Sequence, residues 1–517
     1  MRHVTSTLLL AALAAGCATT PVKPPGGAAP DAREQLVARV NAEATGDARV
    51  TFDRQHRFTD RLVVERYRLS NGLVVIVMED HSAPVFAYQT WFRVGSRNER
   101  EGITGIAHLF EHLLFKESEN LGDGVFDKLL ERNGGRVNAS TWVDWTYYRE
   151  NLPTGAPTLP ADVPDLLKPP PADTLDMVVR LEADRMAHMI INKEQVEKER
   201  EVVKNERRFR VDNDPEGRMY EALYATAFSS HPYRWPTVGW MKDLDAITLE
   251  DCVDFYKTYY SPNNAVVVAV GDLDTERLLG LILARYGAMA RQEIPPFSGP
   301  EEAAQEEERR KDLEIELSSP KVLVGYHIPA LAHEDHPAIE VANEILFEGK
   351  SSRVHRRMVT REEVASEVSG WVSPFADPGL LEIMVTMKSG KGPKEGEAVL
   401  YEEIERLRTE VVEQSELAKA KNGLEAGFLR GLQDVGGKAR NIGHYETTTG
   451  DHHLLFTQVS RYRAVSEEDV RRVARIYFAR SNRTVLTANP APPTEPAPAG
   501  TEVDQSKAKG GNDGKDG

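Results

Sequence analysis

The chain has 517 residues, 40% of them hydrophobic and 28% charged, with a formal charge of -17 at neutral pH. That length divides into roughly two to four domain-sized units. The acidic balance excludes a nucleic-acid binder, which needs a basic surface to displace counterions from phosphates.

Residues 1–17 read as an export signal. Arg2 and His3 give a short polar start, and the apolar run 8–15 is too short to span a bilayer. Leu13-Ala14-Ala15-Gly16-Cys17 resembles a bacterial lipobox, with Ala14 where Leu or Val is usual. This predicts cleavage before Cys17, acylation of that cysteine and a lipid anchor in the membrane. Ala18 is not the Asp that retains a lipoprotein in the inner membrane, so the expected location is the outer membrane, facing the periplasm. An ordinary cleavable signal with an incidental cysteine is the alternative. Cys252 is the one other cysteine, so no disulfide can form within the mature core.

Residues 18–56 are predicted to form a flexible tether. Two units follow, 57–290 and 313–490. They are separated by a linker, 291–312, that carries Pro295, Pro296, Pro300 and an acidic run. The tail 491–517 has the composition of a disordered segment. The two units repeat. Ile247-Thr248-Leu249-Glu250-Asp251, Tyr259-Tyr260, Asn264 and the strand 265–270 recur, 218 positions later, as Val465-Ser466-Glu467-Glu468-Asp469, Tyr477-Phe478, Asn482 and 483–488. In both copies a Thr or Ser caps a helix and a β-rich strand follows. The expected fold is therefore α+β, a duplicated domain with a sheet covered on one face by helices. The first unit opens with strands at 63–69, 73–78 and 83–94, and helices follow at 103–117, 174–190 and 193–210.

The segment Ile103-Thr104-Gly105-Ile106-Ala107-His108-Leu109-Phe110-Glu111-His112-Leu113-Leu114 carries the chemistry. At about 100° per residue, His112 lies near +40° and Glu111 near -60° from His108, and the apolar residues fill the opposite arc. Two imidazoles one turn apart can reach one zinc ion, and a carboxylate on the same face can reach its water. The alternative is two core histidines beside a surface glutamate.

His-x-x-Glu-His is the inverzincin pattern. With Gly134-Gly135-Arg136-Val137-Asn138-Ala139, Thr146-Tyr147-Tyr148 and Tyr259-Tyr260-Ser261-Pro262-Asn263-Asn264, the chain resembles the pitrilysin/insulinase (M16) metallopeptidases over residues 60–490. The similarity is to their half-length bacterial and processing-peptidase-like members. The resemblance implies two homologous domains of the LuxS/MPP-like metallohydrolase type, each a mostly antiparallel sheet covered by helices. It also implies one zinc per chain and peptide hydrolysis.

A catalytic zinc needs a third protein ligand. Glu199, Val202, Val203 and Glu206 share about 100° of a helix, read as its buried stripe. In the family the ligand is the second of two glutamates seven apart. This points to Glu206 as the ligand, with Glu199 supporting the first shell. Glu111 is the implied general base, and Asn138 and Ala139 match residues on an edge strand where the peptide substrate adds as a further strand. Asn138 as simple turn chemistry after Gly134-Gly135 is the alternative. The Pro-rich loop 153–173 lengthens the gap between His112 and Glu206 and could limit substrate access.

The second unit lacks the site. Val341 and Ile345 stand where the histidines would be, and Lys421-Asn422-Gly423 echoes Lys204-Asn205-Glu206 with Gly replacing the ligand. His452-His453 read as exposed loop residues. Family members that act alone carry an Arg and a Tyr seven apart that support the oxyanion. Here those places hold Val359 and Ser366. This implies either a heterodimer, in which a zinc-free paralogue supplies the pair, or a homodimer of weak or altered activity. The competing reading is a non-catalytic scaffold or binding subunit that keeps the fold.

Overall fold

The computed structural model describes residues 31–58 and 62–490. The predicted signal with Cys17, the first part of the predicted tether and the tail 491–517 lie outside the described residues.

Seven strands build the first sheet: β1 Val50–Arg57, β2 Val63–Leu69, β3 Val74–Glu79, β4 Val85–Phe92, β5 Arg136–Thr141, β6 Thr146–Pro153 and β7 Ala265–Gly271. Their order is β1-β2-β3-β7-β4-β6-β5. The second sheet holds β8 Arg309–Ile315, β9 Lys321–Ile328, β10 Ala365–Val372, β11 Gly379–Met387 and β12 Arg483–Pro490, in the order β10-β11-β9-β12-β8. In each sheet one pair is parallel, β3 with β7 and β8 with β12. From that pair outward the ladders are antiparallel in the same succession: β7-β4-β6-β5 in the first sheet, β12-β9-β11-β10 in the second. The duplication read at 218-residue spacing is thus a duplication of topology. Thr248 and Ser466 each close a capping box at the head of the helices Leu249–Tyr259 and Glu467–Tyr477.

Both faces of each sheet are buried, where one was expected. Alternate residues of the first sheet, such as Val75, Val77, Tyr88 and Phe92, face that domain's own helices, α2 Ile106–Leu113, α3 Val125–Arg132, α4 Thr174–His188 and α5 Lys193–Arg207. The opposite alternates, Ile76, Trp91, Val266 and Val268, meet Ala439, Ile442 and Tyr445 of the helix Val435–Thr449, which comes from the second domain. The first domain reciprocates. Its helix α6, Pro215–Ala227, lays Met219, Leu223 and Ala227 on Leu323, Leu380 and Leu486 of the second sheet. Burial on both faces is why β7 reads as an unbroken apolar run, Ala-Val-Val-Val-Ala-Val-Gly.

The tether is shorter than expected. Helix α1, Ala32–Ala42, starts at an Asp31 cap, and β1 extends the sheet edge by pairing with β2. Both segments are polar by composition. Tertiary contacts through the buried Val40 and Val50 hold them. The predicted linker is described without regular structure up to β8, which begins at Arg309.

His452 also departs from expectation, since it is fully buried. Its Nδ1 lies 2.9 Å from Glu446 Oε2, and Arg66 Nη2 donates to Glu446 Oε1 at 2.9 Å. Glu446 lies on the helix that crosses from the second domain, and Arg66 on β2, so this buried pair ties the domains together. Burial raises the Glu446 carboxyl, but His452 and Arg66 outweigh it and hold the group at about 2. A carboxyl depressed in the folded state stabilises above its ordinary range and loses that contribution as pH falls towards about 2. Arg66→Met should cost about 3 kcal/mol at neutral pH, because it leaves a buried carboxylate short of a partner. It should also flatten the loss of stability below about pH 4.5. Urea denaturation of both proteins across that pH range measures the two effects.

Candidate metal centre and its surroundings

Two elements converge on the site, and one loop sets their spacing. Helix α2 begins at Gly105, whose φ of 91° belongs to the left-handed region. A Cβ there would lie 2.6 Å from the Val238 carbonyl oxygen. Gly239, at φ 81°, faces it, and a Cβ on Gly239 would lie 2.3 Å from the Thr104 carbonyl oxygen. The same loop receives α5, because Arg207 Nη1 donates to the Gly239 carbonyl at 2.7 Å. Glu99 caps α2 from outside the helix, its carboxylate accepting from the N–H groups of Gly105 and Ala107 at 2.9 and 2.8 Å.

The histidines and the distant glutamate then meet. Glu206 Oε2 lies 3.6 Å from His108 Nε2 and 3.4 Å from His112 Nε2. One ligand atom from each of the three residues lies within 4.8 Å of those of the other two. Tetrahedral ligation at roughly 2.0–2.1 Å places ligand atoms about 3.4 Å apart, so the donor set has the spacing of a zinc site. His108 Nδ1 is buried with no hydrogen-bond partner, which leaves Nε2 as that ring's working atom. His112 differs. Its Nδ1 lies 3.5 Å from Glu199 Oε2, and Glu199 Oε1 takes a 2.8 Å ion pair from Lys116. Glu199 therefore orients the His112 ring and is held in turn by a lysine one turn beyond it.

The titration directions follow from these contacts. Burial, and then the charge of His112, lower His108 to about 4, so its ring is neutral and available as a donor. Burial also acts to lower His112, but hydrogen bonds to Glu199 and Glu206 overcome it and lift that ring to about 9. Burial raises the Glu111 carboxyl, opposed by a hydrogen bond with Thr141. Glu206 is lowered by its bond to His112. Arg210 Nη1, four residues on, pairs with Glu206 Oε1 at 2.8 Å.

Helix α2 is shorter than the predicted 103–117, and α5 passes at residue 207 into a wider helical turn, 208–212. The buried stripe of α5 is Val196, Glu199, Val203 and Arg207. Val202, expected on that stripe, is 45% exposed. Its angle lies at the margin of the apolar arc, where periodicity alone does not decide burial. Asn138 and Ala139 lie on β5, the outer strand of the sheet, and β5 packs beside α2. The Asn138 side chain accepts from the Ala139 N–H at 2.9 Å. The loop 153–173 leaves β6 at Pro153, the end opposite Thr146, which pairs with Thr141. There it packs by the buried Leu167 and by the Thr158 contacts with Asn133, three residues before β5 begins.

Glu99, Lys116, Thr141 and Arg210 are further site residues that the sequence reading had not singled out. Spacing alone could have flagged two of them, since Lys116 and Arg210 each lie four positions after a ligand. In the second domain the helix His336–Phe347 buries Val341 and Ile345, and a Cβ on Gly423 would lie 2.1 Å from Glu344 Oε1. Glu344 thus stands where Glu111 stands in the first domain, without ligands around it.

Twin sheets with one parallel pair each, and a His-x-x-Glu-His helix facing a glutamate from α5, define the inverted-motif metallopeptidase architecture. The profile described as insulinase (peptidase family M16) matches residues 74–239, and that of the M16 inactive domain matches residues 246–424. The zinc protease PqqE of Helicobacter pylori is 30% identical over 434 residues, covering 82% of this chain and 93% of that protein. The crystal structure of a protease from Helicobacter pylori superposes with a TM-score of 0.76 at 29% identity, over 83% of this chain and 99% of the other. The mitochondrial-processing peptidase subunit beta of Lentinula edodes is 23% identical over 430 residues, 79% of this chain and 86% of that protein. The chain belongs to the M16 peptidase family, and several of its relatives are named as zinc proteases.

Replacing Glu206 by Gln should abolish stoichiometric zinc binding. Glu199→Gln should retain it with roughly 10–100-fold weaker affinity, the usual effect of removing an outer partner of a ligand. Competition titration with a fluorescent chelator separates the two outcomes.

Proposed function

We propose that this chain is a zinc-dependent peptidase. It would be exported, anchored through Cys17 to the outer membrane on the periplasmic side, and would act on short or unfolded peptides. The observation that carries this reading is the meeting of His108, His112 and Glu206 within 4.8 Å, beside Glu111 and an open edge strand.

These three residues would hold the zinc ion. When bound, zinc supplies Lewis acidity, lowering the pKa of a coordinated water towards ~7 and polarising a carbonyl. The rest belongs to the chain. Glu111 takes the proton from the attacking water and delivers it to the leaving amine. Its raised carboxyl brings the base closer to neutral pH, where such transfer is most effective. Thr141 holds that carboxyl from β5. The free edge of β5, with Asn138 and Ala139 at its centre, offers main-chain groups to an extended peptide. Glu199 and Lys116 fix the ring of His112.

Val359 and Ser366 provide neither guanidinium nor phenol for the oxyanion, and the Ser366 hydroxyl is bonded to the Thr386 carbonyl. A second subunit supplying an Arg and a Tyr completes the reading. It is a zinc-free paralogue, since a second copy would carry the same Val359 and Ser366 and leave a homodimer of weak or altered activity; the naming of one relative as a subunit supports a partner.

Glu111→Gln should lower cleavage of an unstructured peptide by about 10²–10⁴-fold while zinc per chain stays constant by metal analysis. Absence of cleavage by the parent chain, alone and with a zinc-free paralogue from the same cell, would leave the scaffold reading in its place. Cys17→Ser should shift the chain from the membrane fraction to the soluble periplasmic fraction.

A further inference from the structure

Two further histidines repeat the geometry of the candidate ligand pair. His56 lies near the end of β1, and His452 stands at the N-cap of the helix His453–Ala464 in the second domain. Their ring centres are 5.1 Å apart with the planes at 72°. The rings of His108 and His112 are 4.9 Å apart at 84°. The support behind the rings is repeated as well. His452 Nδ1 lies 2.9 Å from Glu446 Oε2, and Arg66 Nη2 pairs with Glu446 Oε1 at 2.9 Å. At the candidate centre, His112 Nδ1 faces Glu199, which Lys116 holds. A carboxylate on Nδ1 fixes the tautomer and leaves Nε2 as the donor atom, as outer carboxylates do for metal-bound histidines.

The pair has an unmet need. His56 Nε2 and His452 Nε2 are both buried with no hydrogen-bond partner, so neither ring donates to the other. His452 is fully buried. A polar nitrogen withdrawn from water and left unpaired is costly, and it calls for an occupant. Two such nitrogens on adjoining rings suit a Lewis acid.

The surroundings select the ion. Among the described residues, only His108, His112 and Glu206 form a three-residue donor set at ligand spacing, so the new pair offers two protein donors. The exposed His453 stacks on His56 at 4.3 Å, and Phe58 and Phe456 close the apolar side. Two imidazoles fall short of the three or four protein ligands of zinc sites. Copper stands above zinc in affinity for nitrogen donors and suits imidazole. The site is also remote from the candidate centre. β1 and β5 are the two outer strands of the first sheet. Inter-strand steps of about 4.8 Å put them roughly 29 Å apart.

We infer that His56 and His452 form a second metal site, which takes one copper ion and fastens β1 to the second domain. The inference goes beyond the peptidase reading and does not need it. The full chain is saturated with zinc, freed of unbound metal and titrated with Cu2+ against a competing chelator. Wild type is compared with His56→Phe, which keeps a ring against His453 and Phe456. Wild type should take up one Cu2+ per chain with its zinc content unchanged, and the electron spin echo of that copper should carry imidazole nitrogens. Its unfolding temperature should rise with copper, because the ion binds only the folded contact. His56→Phe should bind copper at least about a hundredfold more weakly, since losing an outer partner alone costs roughly 10–100-fold. It should also lose the thermal shift while its zinc content stays the same. If His56→Phe does not fold, wild type alone decides. Brief treatment with copper, ascorbate and oxygen oxidises histidines that ligate the ion, and peptide mapping should find the oxidation at His56 and His452. Absence of copper uptake, equal affinity in the two chains, exchange of copper for zinc in place of a second ion, or oxidation confined to other histidines would each overturn the inference. A bridging water would then be the occupant of the pair.

Discussion

Each sheet of this protein has two apolar faces, and each domain owns helices for only one of them. The exchange that solves this, α6 outward and Val435–Thr449 inward, makes neither domain complete alone. Apolar burial drives it. Polar chemistry sets its register through Glu446, which meets Arg66 and His452 in a dry interface where an unpartnered carboxylate is expensive. The metal centre inherits its rigidity from this arrangement. Its candidate ligands come from α2 and α5, both tied to the backbone at Gly239, and α5 leads within a few residues into α6.

At the centre itself, two kinds of second contact do different work. Glu199 and Lys116 orient a ring, while Arg210 restrains the carboxylate that joins the ring nitrogens. His108 has no such support at Nδ1, and its burial, together with the charge of His112, keeps it neutral. Glu111 stands apart from these pairs, raised by burial and held from the edge strand by Thr141. The candidate ligands and Glu111 are thus held by separate hydrogen bonds, while the charges of His112 and Glu206 act on the Glu111 carboxyl.

Much of this was legible in the residues. His108, Glu111 and His112 share a helix face because 3.6-residue periodicity puts them there, and that inference needs no tertiary information. The repeat was legible because the capping boxes and following strands kept both order and spacing. Glu206 took phase and a family resemblance together, since the helix carries several acids. What stayed hidden depends on partners distant in sequence. The segment 32–57 is ordered by contacts with the sheet and with Glu276 that its own polar composition does not announce. His452 looks like a loop residue until Glu446 and the rings of His56 and Phe456 close around it. Glu99 lies before α2 with no capping-box spacing, and only the folded chain brings its carboxylate to Gly105 and Ala107.

The short run from Glu206 to Pro215 joins the candidate metal centre to the helix that roofs the neighbouring domain. One stretch of chain thus serves both the candidate metal centre and the domain contact. Any coupling carried by this run acts equally in both directions. A displacement of α6 on the second sheet, where His327 meets the Ala227 carbonyl, would reach the Glu206 carboxylate through this single stretch of chain.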